Sequence, residues 1–89
     1  MSKFKVKDPD STLDYTIDWT HWLDGDIITG SSWNVPVDLT VETNSFDNAS
    51  TTVWLSGGVI GNLYECVNTI NTQGGRQEDR TLYLRIRDR

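Results

Sequence analysis

Thr51-Thr-Val-Trp-Leu-Ser-Gly-Gly58, Gly61-Asn-Leu-Tyr-Glu-Cys66 and Arg80-Thr-Leu-Tyr-Leu-Arg-Ile-Arg87 decide the fold. Each is a short run in which apolar and polar residues alternate, and glycine-rich turns separate the runs. A period of two puts one residue set on a buried face and the other in solvent. That pattern belongs to half-buried antiparallel strands, not to helices.

The rest of the chain extends the same reading. Phe4 and Val6 alternate with Lys3, Lys5 and Lys7, giving a short first strand with its lysines on the open face, where they discourage edge-to-edge pairing. Asp8-Pro-Asp-Ser-Thr12 breaks it. In Leu13-Asp-Tyr-Thr-Ile-Asp-Trp19 the apolar residues share one face, and Asp14, Thr16 and Asp18 share the other. Thr20–Asp26 reads as a connector with one helical turn that tucks Trp22 and Leu23 under the sheets. Ile27–Val35 is a third strand with a bulge at Gly30-Ser-Ser32, and Leu39–Thr43 is a fourth. Asn44–Ser50 reads as a polar turn around Phe46. Thr51–Ser56 and Leu63–Thr72 are the fifth and sixth strands, Gln73–Asp79 a hairpin tip, and Arg80–Arg87 the seventh. About seven strands with regular turn signals predict an all-β, immunoglobulin-like antiparallel β-sandwich. No linker or repeat divides residues 1–89, which read as a single domain. Tyr64 sharpens the prediction. It lies two residues before Cys66 and just past a glycine corner, where immunoglobulin-like domains place a tyrosine whose hydroxyl bonds back to the corner backbone.

Eighty-nine residues with a single cysteine exclude an internal disulfide and a cysteine-built zinc site. Cys66 is expected as a small core residue. A domain of this length with one core holds only about 3–5 kcal/mol of stability. Four Trp, three Tyr and two Phe supply the apolar area, with Trp19, Trp22 and Trp54 expected in the core and Trp33 left open between core and surface. No apolar run is long enough to span a bilayer, and the start carries no signal-peptide pattern. Production in a reducing cytoplasm is the expectation.

The net charge of −5 is unevenly spread. Lys3, Lys5 and Lys7 open the chain and Arg76, Arg80, Arg85, Arg87 and Arg89 close it. Between them stand Asp8, Asp10, Asp14, Asp18, Asp24, Asp26, Asp38, Glu42, Asp47 and Glu65, with no Lys or Arg. Two readings follow: terminal strands pair their charges with acidic neighbours across a sheet, or opposite faces meet partners of complementary potential. Nucleic acid is not an expected partner, since most of this surface repels phosphate.

Catalytic signatures are missing from the pattern. Asp24-Gly-Asp26 begins like a calcium loop but lacks the later ligands and the closing glutamate, so it reads as a polar turn. His21, the one histidine, has no serine in a strand–turn–helix elbow to activate. Gly57-Gly-Val-Ile-Gly61 leads into no helix and carries no Lys-Ser or Lys-Thr, so it is no phosphate loop. The residues predict no enzyme, no cofactor and no metal. A sugar-binding module is the alternative that four indoles leave open; it needs Trp22 or Trp33 exposed beside acidic residues.

Several stretches resemble the fibre–tail adaptor proteins of phages and prophages. They are Leu13-Asp-Tyr-Thr-Ile-Asp-Trp19 with Trp22-Leu23, Gly25-Asp26 and Ile28, then Trp33-Asn-Val-Pro36 and Leu39-Thr-Val41. The strongest is Thr52-Val-Trp-Leu-Ser-Gly-Gly58 with Gly61 and Tyr64. Asn68, Ile70, Thr72, Gly75-Arg76 and Arg80-Thr-Leu-Tyr-Leu-Arg-Ile86 complete the match. Cys66 departs from it, standing where a valine is expected. The resemblance implies a structural virion protein made in the bacterial host cytoplasm. It would join tail or neck to a fibre or tailspike, as several copies in a ring, with no membrane or nucleic-acid partner. Another virion part of the same fold, such as a head decoration or tail-tube protein, is the neighbouring alternative. On charge layout the expected contacts are Lys3, Lys5, Lys7, Arg85 and Arg87 on one side, and Asp14 and Asp18 on the other.

Overall fold

A computed structural model describes residues 4–88. The clean alternation of Leu13–Trp19 forms β2 (Thr12–Asp18), with Tyr15 and Ile17 buried and Thr16 and Asp18 in solvent. β2 pairs antiparallel with β5 (Ser50–Gly57), whose other edge pairs antiparallel with β4 (Leu39–Phe46). These make a three-stranded sheet in the order β2-β5-β4. The second sheet has four strands: β1 (Phe4–Lys7), β3 (Ile28–Asn34), β6 (Leu63–Thr72) and β7 (Gln77–Ile86), in the order β1-β7-β6-β3. The predicted all-β sandwich of seven strands is what forms.

One pairing departs from the antiparallel expectation. β1 joins β7 in parallel, Phe4 opposite Tyr83 and Val6 opposite Arg85. The Asp8–Ser11 turn carries the chain from one sheet to the other, so β1 lies beside the last strand and runs the same way. Two boundaries also move. β4 continues to Phe46, because a register shift between Val41 and Thr43 restores pairing with β5 as far as Thr51. The polar turn shrinks to Asp47–Ala49, where the Asp47 carboxylate accepts from the Ala49 and Ser50 N–H groups and the Ser50 hydroxyl. β7 starts at Gln77 because its polar residues pair along β6 out to Asn71, beyond the core.

The core lies between the sheets in two parts. Tyr15, Leu39, Val53, Leu55, Tyr64, Cys66, Leu82, Leu84 and Ile86 fill one end; Ile17, Trp19, Leu23, Ile28 and Ile70 fill the other. Half-buried Trp33 packs against both. The helical turn α1 (Thr20–Leu23) closes the second end, with Leu23 buried beneath it as expected. Trp54 does not join the core: it sits on the outer face of β5 and is 40% exposed.

The glycine corner depends on backbone that side chains disfavour. Gly58 has φ +99, and a Cβ there would come within 2.6 Å of Ile86 Cδ1. Across this corner the Tyr64 hydroxyl accepts from the Val59 N–H at 3.1 Å and donates to the Asp38 carboxylate at 2.9 Å. Tyr64 therefore does bond back to the corner, and it also ties in the turn before β4.

Candidate protein-interaction faces

Because β1 pairs with β7, the two cationic ends of the sequence come together in one sheet. The other sheet is built from β2, β4 and β5, a stretch of sequence without Lys or Arg. Charge separated along the chain thus becomes partly separated between the layers, although the four-stranded sheet also carries Glu65, Glu78 and Asp79. Ion pairing across a sheet, the simpler expectation, does not appear among the described residues: the salt bridge there, Arg76 Nε–Asp26 Oδ2 at 3.1 Å, joins two loops.

Asp14 and Asp18 stand on the outer face of the three-stranded sheet. Arg85 stands on the outer face of the four-stranded one, and Arg87 follows just past β7 with its N–H donating to the Lys7 carbonyl. Thr20 supplies a hydroxyl and an N–H to the Asp18 carboxylate, holding its pKa below the usual carboxylate value. Lys5 is exposed, and Lys3 lies outside the described residues.

Lys7 corrects the expectation of an open lysine face. Its register with Ile86 turns it inward, and it is 0% exposed. Its ammonium donates at 2.8 Å to the carbonyls of Asp8, in the β1–β2 turn, and Gly57, at the end of β5. Burial lowers its pKa, against the pull of Asp8 and Asp10. The lysine is thus a clasp between the layers. Phe4 and Val6 take the outer positions instead, since parallel register puts them beside Tyr83 and Arg85.

That inversion creates an apolar belt on the outside of the four-stranded sheet. Val6, Arg85 and Leu63 form one row across β1, β7 and β6, and Phe4, Tyr83 and the exposed Glu65 form the next. Phe4 meets Tyr83 edge-on with ring centroids 5.9 Å apart, and the Arg85 guanidinium lies 5.4 Å from the Phe4 ring centre. Beside this row an open groove of about 440 Å³ is lined by Ile60, Gly61, Leu63, Arg85, Ile86, Arg87 and Asp88. Ile60 and Leu63 are 58% and 49% exposed. Sequence reasoning placed a strand here but turned it the wrong way; alternation gives the period and not which half points in.

The opposite outer face is acidic. In register across it stand Asp14, Trp54 and Thr43, then Thr16, Thr52 and Ser45. The Thr16 and Thr52 hydroxyls pair at 2.9 Å, and Ser56 donates to the Glu42 carboxylate.

The remaining candidates serve the architecture. Asp26 of the Asp-Gly-Asp turn accepts from the Ile27 and Gly74 N–H groups and from Arg76 Nε, fastening the β6–β7 hairpin to the end of α1. Hydrogen bonds, foremost from the Thr72 hydroxyl, pull its pKa down to about 2. His21 is exposed on α1. Burial pushes the Cys66 thiol up to about 11, which leaves it unreactive. Arg76 covers the half-buried Trp22 at 4.2 Å, and the Trp33 indole N–H is enclosed without a hydrogen-bond partner among the described residues.

The fold is an all-β sandwich with two outer faces of unlike chemistry. The chain belongs to the Gp77 family, described as the podophage GP4 fiber-tail adaptor protein gp77, whose model matches residues 7–85. No curated protein matches the chain.

Proposed function

We propose that this chain is a structural, non-enzymatic component of a tailed-phage virion. In this reading it joins the tail or neck to a fibre or tailspike by protein–protein contacts. The observation that carries this is the family match over residues 7–85, read together with two opposed outer faces of different character. An adaptor must hold two partners at once, and unlike faces allow each partner to be selected separately. Arg85 and Arg87 belong to one contact, and Asp14 and Asp18 to the other; Lys5, in register with Leu84, stands on the inward side of β1 and is left out of it. The partners are other virion proteins and further copies of the chain, not nucleic acid or membrane. A sugar-binding reading required Trp22 or Trp33 bare beside acidic groups; Arg76 covers the first and both are half-buried.

The test is genetic and structural. Particles assembled without this chain should keep their tails and lose the fibre or tailspike, as seen by negative-stain microscopy and by protein composition. Particles with a full set of fibres would sink the reading.

A further inference from the structure

We propose that the two outer faces dock on each other between copies of this chain. Trp54 of one copy sits in the groove between Ile60, Leu63 and the Arg85–Arg87 end of β7 on the next. This rests on reading the chain as an assembly protein of the virion, and it names what covers the Arg85 face.

The belt needs a cover. Phe4, Ile60 and Leu63 are 39%, 58% and 49% exposed, and register makes the patch around Arg85 continuous with the groove. Contiguous apolar surface rimmed by charge marks an interaction site. Asp88 also lines the groove and Glu65 stands beside Tyr83, so the cationic part of the patch is local to Arg85 and Arg87. That part suits an occupant with an apolar anchor and a carboxylate beside it. The chain's own opposite face offers both. Trp54 is the large aromatic on the central strand there, 40% exposed, with Asp14 beside it in register and Glu42 and Asp18 on the flanking strands. No lysine or arginine lies anywhere in that sheet to oppose Arg85. Trp and Arg are the side chains most enriched where interface energy concentrates. Arg85 lies 5.4 Å from the Phe4 ring centre and is exposed, so it is placed to meet an incoming indole as well.

Size and symmetry agree. The molecule measures 41 × 29 × 16 Å, so a broad face is large enough for the roughly 800 Å² per partner of a stable interface. The two faces lie on opposite sides of the sandwich, so the contact is heterologous and repeats from copy to copy, closing as a ring where the rotation allows.

Sedimentation velocity on the purified chain tests this, over a wide concentration range at low and high salt. The wild type should form species heavier than the 10.1 kDa monomer, in amounts that fall with salt. Trp54→Ala, Arg85→Glu and Asp14→Arg should each be monomeric with thermal stability close to wild type. An equimolar mixture of Arg85→Glu with Asp14→Arg should associate again, because each mutated face then meets its complement. A monomeric wild type at all concentrations overturns the proposal, as does association that ignores Trp54→Ala or a mixture that stays monomeric. A monomer that still binds purified tails would end the self-contact while leaving the adaptor reading intact. Self-association by a chain whose removal leaves fibres in place would do the reverse.

Discussion

The Arg80 guanidinium lies 4.2 Å over the Trp19 ring, while its Nη1 donates to the Asp18 carbonyl at 3.0 Å. One residue of β7 thereby clamps the end of β2, joining the two sheets at the end that α1 closes. Trp19 is fully buried beneath it and meets Trp22 edge-on at 5.5 Å.

Arg80→Ala should lower stability by about 1–2.5 kcal/mol, the worth of a partly exposed cation–π contact plus one hydrogen bond. Trp19→Ala removes a whole buried indole and should cost about 3–5 kcal/mol. Urea unfolding followed by far-UV circular dichroism measures both. An Arg80→Ala variant as stable as wild type would contradict the clamp.

Asn68 should behave as a keystone out of proportion to its size. Its Oδ1 accepts from Trp19 Nε1 and Thr51 Oγ1, and its Nδ2 donates to Ser31 Oγ and the Ser32 carbonyl. Asn68→Ala orphans two buried donors at about 1–3 kcal/mol each, so unfolding at 37 °C is expected. A melting temperature within a few degrees of wild type would refute this.

Tyr64→Phe keeps the ring in the core and deletes the hydroxyl that serves Val59, Asn62 and Asp38. The expected loss is about 1–2 kcal/mol. Amide exchange at Val59 should speed up well before the core strands open; unchanged exchange there would count against the corner bond.

Lys7→Ala should cost about 1–3 kcal/mol, because the Gly57 and Asp8 carbonyls lose their shared donor. An exposed edge lysine would show almost no effect, so the two placements separate cleanly in one denaturation curve.

Asp26 makes stability depend on acidity. Its folded pKa of about 2 lies below the ordinary 3.8, so the unfolded chain binds more protons between these values and stability falls as pH drops through them. Asp26→Asn should flatten the pH dependence of the melting temperature between about pH 4 and 2. A slope equal to wild type would show that other carboxylates set it.

Most of the sandwich was legible because β2, β5, β6 and β7 alternate cleanly between a solvent face and a core face. Tyr64 could be read for the same reason: its spacing from the glycine corner is a local fact. What the sequence concealed depends on pairing. Nothing in Phe4–Lys7 says that the strand lies parallel to β7, and that pairing alone turns Phe4 outward and Lys7 inward. Trp54 looked like core material by size, yet it falls on the odd positions of β5, opposite Asp14. The arginine–indole contacts, Arg76 with Trp22 and Arg80 with Trp19, join residues far apart in the chain and have no local signature. At the faces, the charge division was visible along the chain. The groove was not, since it forms only where the β5–β6 corner meets the end of β7.

The central claim is that this sandwich sits where fibre meets tail. An electron-microscopy map of the intact particle tests it most directly. The account predicts density fitted by the two-sheet fold at the tail–fibre junction, with both the Arg85 and the Trp54 faces covered by neighbouring protein. Density for this chain on the head surface, or particles that contain none of it, would contradict the account.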